Sequence, residues 1–289
     1  MQNASWKPWM IVNFNLSLSQ SVEVLFQQTF IYRFSASPLK AGELSMSVLS
    51  MKEVRRLSLG FPVLDDVFPG LEFGDFAVLH GSSVSFMSST LSVRCQLPLA
   101  RGGLDSSTVF VDGGNMFNPY LIAEIARSYR LDSRIVLEKV YVSRAFTAYQ
   151  LSSLILEKLK PALKRRRARL LIVSDVTSLF LDRDLPKVEA RELFMKVCVK
   201  LSEIASERQT IIVVGYFPEK RSRQSSFFEA FLFGKCNVLI RLRKMGEILS
   251  FALEDHARIN PFTMDFTVDS ASLASFCGGV GLGENRSVL

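Results

Sequence analysis

The sequence predicts an α/β fold: a mainly parallel central sheet flanked by helices, closed by a C-terminal antiparallel strand pair. Three observations predict it. Short apolar runs ending in small or acidic residues recur along the chain, as buried parallel strands do. Stretches with helical apolar spacing separate them. The two alternate in a regular order from residue 76 to residue 217, which favours βαβ units over hairpins.

The elements follow in order. FAVLHG (76–81) reads as a buried strand, and a helix from about Ser88 to Ala100 follows it. STVFVDGG (107–114) is a second strand ending in a glycine pair. Leu121, Ile122, Ile125 and Ala126 fall on one face of a helix over 118–132. KVYVSRAF (139–146) is a strand, and AYQLSSLILEKLKPAL (148–163) a helix. RLLIVSDV (169–176), a long helix over 190–208, and the strand QTIIVVGYF (209–217) complete the alternation. CNVLIRLRKM and EILSFALED then form the antiparallel pair. On such sheets ligands bind at the carboxyl ends of the strands. HGSSVS, VDGGN, VSDV and VGYF lie there and line one crevice.

Composition narrows the function classes. At 48% apolar and 22% charged, the 289 residues suffice for a large buried core. The net charge of +7 suits a polyanionic partner without proving one. Cys95, Cys198, Cys236 and Cys277 are widely spaced, and His80 and His256 are the sole histidines. Neither a zinc site nor a disulfide framework is expected, and a reducing, cytoplasmic setting is. There is no apolar run of ~18 residues and no cleavable leader pattern, so a membrane role is not expected. Residues 1–50 carry little charge and no clear period. They are either a docking extension or a stretch upstream of a natural start at Met46 or Met51; residues 51–289 form the core domain.

The stretch GSSVSFMSST (81–90) poses the main chemical question. Strand, small-residue turn and helix are the layout of a phosphate-binding loop. Such a loop needs Gly-Lys-Ser/Thr, so that backbone amides cradle phosphate, the lysine meets the β/γ-phosphates and the hydroxyl meets Mg²⁺. Here Phe86-Met87-Ser88 stand instead.

Several segments, in order, resemble the RecA/RadA recombinase family, in particular a RadA/RadB-like paralog with degenerate Walker motifs. They are LSLGFPVLDDVFPGLEFGD (57–75), RCQLPLARGGLDSSTVFVD (94–112), FNPYLIAEIARSYRLD, VYVSRAFTAYQ and LLIVSDVTSLF. The resemblance spans about residues 55 to 265 and implies a RecA-like core. It also implies what has changed. Aligned from Gly81, the lysine position is Met87, while Ser88 keeps the metal-side hydroxyl. The position of the catalytic Glu is Gly114, after Asp112-Gly113. The Walker B Asp position is Ser174, with Asp175 displaced by one. The usual Asn-Gln after the last parallel strand is Tyr216-Phe217.

Each feature has a plainer reading. Gly81, Ser82, Ser83, Ser85, Ser88 and Ser89 hold an anion at a helix N-terminus, or merely form a Ser-rich turn. Asp112 is a Mg²⁺ ligand or a strand-end cap. Lys160, Lys164–Arg167 and Arg169 read as a helix end complementing the dipole. The segment 219–228 falls where the family has its flexible DNA-facing loop. There Lys220, Arg221 and Arg223 would neutralise phosphate and Phe227 and Phe228 would stack on bases; a solvated loop is the alternative. Arg241, Arg243 and Lys244 extend this patch or protect a sheet edge. Phe34-Ser-Ala-Ser37 is a weak match to the family's Phe-x-x-Ala docking segment.

The resemblance thus implies a RadA-like accessory of homologous recombination or DNA repair. Its partners would be DNA, single-stranded above all, and a RadA-like recombinase or another paralog. No cofactor is expected. The alternative is a divergent DNA-dependent ATPase using ATP and Mg²⁺ with a lysine from elsewhere, Lys235 or Lys244. A non-DNA regulatory scaffold is the third reading.

Overall fold

The computed structural model describes residues 55–217 and 222–267. The N-terminal stretch with Phe34–Ser37, and Lys220, Arg221 and Cys277, lie outside the described residues. Five parallel strands build the centre: β3 (Phe76–His80), β4 (Thr108–Asp112), β5 (Val140–Arg144), β6 (Leu170–Ser174) and β7 (Ile211–Tyr216). A small antiparallel pair, β1 (Arg56–Leu57) and β2 (Leu71–Glu72), precedes them. Three further strands, β8 (Val238–Met245), β9 (Ile248–His256) and β10 (Phe262–Thr267), extend the sheet. Its order is β10-β9-β8-β3-β7-β6-β4-β5, with β8 parallel to β3 and antiparallel to β9. The expected α/β class and its antiparallel end are present, and the end has a third strand, β10. β10 escaped sequence reading because Phe262, Met264 and Phe266 alternate over only six residues.

Helices cover both faces, so β3, β4, β6 and β7 are apolar on both faces, while the edge strand β5 is partly exposed. Ala77 and Leu79 point into one core layer, with Phe110, Ile172, Leu91 and Ile125. Phe76 and Val78 point into the other, with Val109, Val173, Phe194 and Leu201. This is the period of two that a strand imposes.

The helices depart from sequence expectation where local chemistry intervenes. α1 (Pro62–Asp65) is a single turn after β1. α2 (Val84–Arg94) starts four residues before the expected Ser88 and stops well before Ala100. Pro98 explains the early end, because the residue before a proline is pushed out of the helical region. The expected 118–132 helix is α3 (Pro119–Ser128), capped by Asn118, then a break at Arg130 (φ 58°). α4 (Ser133–Glu138) restarts the chain under an Asp132 cap. The 148–163 helix is α5 (Ala148–Ser153) and α6 (Leu159–Arg166) around a π-helical turn, Leu154–Lys158. Pro161 accounts for that turn: its ring excludes the ordinary bond to the carbonyl four residues earlier. α7 (Lys187–Ser206) is the long helix, and α8 (Arg223–Phe233) occupies sequence read as loop.

At the end of β9, His256 Nδ1 accepts the backbone N–H groups of Arg258 (3.0 Å) and Ile259 (3.1 Å). A protonated ring loses that acceptor. Burial holds the His256 pKa below its ordinary value, against the pull of Asp75. The folded value is depressed, so the neutral ring's contribution is present at neutral pH and is lost as pH falls through that value. The melting temperature should therefore drop between pH 7 and about 5 more steeply in the parent than in His256→Asn. The asparagine oxygen accepts the same bonds and does not titrate. Equal slopes would show that His256 does not govern this window.

Candidate functional site

The carboxyl ends of β3, β7, β6 and β4 lie side by side. His80 is in register with Tyr216, and Asp112 with Ser174. The loops predicted to line one crevice do converge there.

After β3 the chain turns at Gly81 (φ +107°), a backbone conformation that suits glycine. A Cβ there would lie 2.2 Å from the Leu242 carbonyl oxygen. The turn is fastened to β8: Ser82 Oγ accepts the Lys244 N–H (3.0 Å), and the Ser83 N–H donates to Leu242 (3.4 Å). α2 then begins at Val84, and Met87 N–H already bonds the Ser83 carbonyl at 3.0 Å. No glycine or proline interrupts 82–97 to hold this segment open. Val84, Met87 and Leu91, spaced for one helix face, are at most 1% exposed and belong to the core. That spacing was the available signal for the early start. Phe86 packs, half-buried, against the same layer. Ser88 and Ser89 are buried. The hydroxyls of Ser83, Ser85, Ser88 and Thr90 are buried without a hydrogen-bond partner among the described residues.

Asp112 is fully buried and its carboxylate is saturated. Oδ1 accepts from Ser174 Oγ (2.7 Å) and Met116 N–H (2.8 Å). Oδ2 accepts from Arg144 Nε (3.0 Å) and Phe117 N–H (3.3 Å). Four donors fill the acceptor sites of one carboxylate, which is the strand-end cap of the two sequence readings. Asp175 follows β6 with φ +38° rather than extending it. Its Oδ1 accepts from Thr177 N–H and Ser178 N–H, both at 3.2 Å, at the entry to the 3₁₀ turn Ser178–Leu181. A Cβ added at Gly114 would lie 2.6 Å from that of Asp175. Tyr216 donates to Glu229 on α8 (2.7 Å), and Phe217 packs half-buried on the core.

The segment after β7 corrects the predicted DNA-facing set. Ser222 and Ser225 form a capping box, and α8 runs from Arg223. Arg223 is exposed at its first turn. Phe228 is fully buried, its ring 4.5 Å from Phe194 and 6.2 Å from Phe180, so it offers no stacking surface. Phe227 is half-buried, with Phe231 stacked beside it and the Arg191 guanidinium 4.9 Å over its ring. Helical spacing of Phe227, Phe228, Phe231 and Leu232 turns these rings inward. Ser222 with that spacing was the signal missed. β8 is an interior strand, so Arg241, Arg243 and Lys244 protect no edge; Arg241 pairs with Glu254 (3.1 Å). Lys235 precedes β8, at the far end of β3 from Gly81, with its Nζ over Phe231.

A mainly parallel α/β sheet with helices on both faces and antiparallel strands at its C-terminal end is the architecture of a RecA-like core. The Rad51 family model matches residues 52–216, more than half of the chain, and the chain belongs to that family. It is 33% identical over 132 residues to the DNA repair protein RAD51 homolog B of Zea mays, covering 44% of this chain and 38% of that one. It is also 33% identical over 133 residues to the DNA repair protein RAD51 homolog 1 of Arabidopsis thaliana, covering 45% and 39%. The match spans about two fifths of the length of each of these curated relatives. Among the described residues, no helix is long and apolar enough to cross a membrane.

Proposed function

We propose that this chain is a RadA-like accessory in homologous recombination or DNA repair, engaging DNA, a recombinase or both, without turning over ATP. Two of its relatives are named as DNA repair proteins. The observation that carries the catalytic half is the burial of Met87, 1% exposed, at the position where the family resemblance calls for lysine. Three further observations support it. Amides from Met87 onward are spent within α2, Asp112 has no acceptor left for a metal, and Asp175 fills the space beside Gly114. The residues present do not fit Mg²⁺–ATP in the hydrolytic arrangement.

The test is hydrolysis with and without single-stranded DNA, paired with thermal shift. No turnover and no ATP-dependent rise in melting temperature are expected. Ligand at 100 times its Kd would add ~2.7 kcal/mol, well within detection. Turnover abolished by Ser88→Ala would overturn the reading.

A divergent DNA-dependent ATPase is the second reading, favoured by one contact. The Lys244 N–H bonds Ser82, which brings that lysine's backbone beside the loop. Turnover lost in Lys244→Ala would select it.

A further inference from the structure

A polar cavity of about 220 Å³ lies at the amino end of β3, the opposite end of that strand from Gly81. Glu72, Asp75, Arg208, Asn237, His256 and Arg258 line it. An apolar cavity of roughly 150 Å³ holds benzene, so this one has room for a ligand of about six to ten heavy atoms.

The charges on its wall are answered unevenly. Glu72 is answered twice, by Arg56 Nε (2.8 Å) and by Arg258 Nη2. Asp75 is 6% exposed, and no lysine or arginine pairs with it among the described residues. Its oxygens accept only neutral donors, the Glu72 N–H (2.7 Å) and Asn237 Nδ2 (3.2 Å). Two such donors leave unfilled lone pairs on both oxygens. A buried carboxylate without a counter-ion is unfavourable, and burial pushes the Asp75 pKa up. Arg208 is the converse case. Its side chain is exposed on the cavity wall and pairs with no carboxylate among the described residues, and the adjacent Glu207 is taken by Lys160.

The other groups are fixed and complement both poles. Asn237 Oδ1 accepts the Phe76 N–H (2.7 Å), which turns its Nδ2 toward Asp75. His256 Nδ1 is occupied by two backbone N–H groups, so the neutral ring carries its proton on Nε2. That donor has no hydrogen-bond partner among the described residues. The last turn of α7 ends here, with the Ala205 carbonyl oxygen 3.5 Å from where a Gly74 Cβ would stand. A helix C-terminus favours positive charge. Gly74 (φ +100°) keeps the space beside Arg208 free, because a Cβ there would lie 2.9 Å from Arg208 Cγ.

We propose that this cavity binds a small zwitterion of the α-amino-acid type. The ammonium group meets Asp75 beside the end of α7, and the carboxylate meets the Arg208 guanidinium and the His256 Nε2–H. A simple cation leaves Arg208 and His256 unanswered. A simple anion faces the bare Asp75 carboxylate. The site is separate from the crevice at the carboxyl strand ends and does not depend on DNA being a ligand.

The test is calorimetric titration of the full chain at neutral pH with glycine, serine and glutamine. Methylammonium and acetate serve as probes carrying one pole each. At least one amino acid should bind saturably, and each single-pole probe roughly tenfold more weakly or worse, the effect of losing one charged hydrogen bond. Asp75→Asn keeps the shape, removes the charge and should weaken amino-acid binding by about tenfold or more. Arg208→Ala is at an exposed position, should melt like the parent, and should weaken the amino acid while leaving methylammonium unchanged. That variant decides the matter if Asp75→Asn does not fold. No saturable binding of the three amino acids, or binding that Arg208→Ala leaves intact, would overturn the inference. Acetate or methylammonium bound as tightly as the amino acids would overturn it too, and assign the cavity to a simple ion.

Discussion

Asp112→Ala is expected to destabilise the fold by about 3 kcal/mol or more, the range for breaking a buried ion pair from one side. The carboxylate is 0% exposed and answers four donors drawn from β5, β6 and the loop that follows β4. Without it, Ser174 Oγ and the Met116 N–H lose a buried acceptor. Arg144, whose side chain is 38% exposed, can turn to water, which keeps the loss near the lower end. Arg144→Ala should cost less, because three donors still answer the carboxylate. Urea unfolding midpoints at unchanged m-value measure both. A loss below about 1 kcal/mol for Asp112→Ala would mean that the carboxylate does not hold the loop. Added Mg²⁺ offers a second discrimination. It should leave the parent's midpoint unchanged if the carboxylate is a cap, and raise it if the carboxylate is a metal site.

The strands were legible because each is short, apolar and bounded. FAVLH, TVFVD and LLIVS needed only a period and a terminator. Helix limits were less legible, because proline acts through the preceding residue and the preceding turn. Pro98 and Pro161 moved two of them. The strand ends alone were enough to say which loops stand side by side: His80 is in register with Tyr216 and Asp112 with Ser174. What sequence could not supply was the state of each side chain there. Sequence leaves Asp112 as a Mg²⁺ ligand or a strand-end cap until Arg144 and Ser174, 32 and 62 residues away, are seen to converge on it. The α8 region failed for a different reason. Family likeness suggested a loop, while Ser222 and the spacing of Phe227, Phe228, Phe231 and Leu232 specified a capped helix. Local chemistry outweighed the analogy.

Restoring a lysine to the loop is the sharpest test of what the loop has become. Met87→Lys should cost about 4–5 kcal/mol at pH 7, and turnover should not appear. Met87 is 1% exposed among Val84, Leu91 and the rest of its core layer, so an ammonium there has no water and no partner. The side chain would fold as the neutral amine. Removing its proton at pH 7 from an ordinary value near 10.4 costs about 4.6 kcal/mol at ~1.36 kcal/mol per unit. That approaches the whole stability of a marginal domain, roughly 5–15 kcal/mol. The sign with pH follows. Burial depresses the folded lysine pKa, the unfolded chain binds the extra proton, and stability rises as pH rises toward 10. Met87→Leu, similar in volume, should cost under about 1.5 kcal/mol and show no such pH dependence. A lysine variant as stable as the parent, with a melting temperature raised by Mg²⁺–ATP, would mean that the first turn of α2 opens and the side chain reaches phosphate. The helix start at Val84 argues against it, because opening that turn exposes Val84 and breaks the Met87–Ser83 bond together.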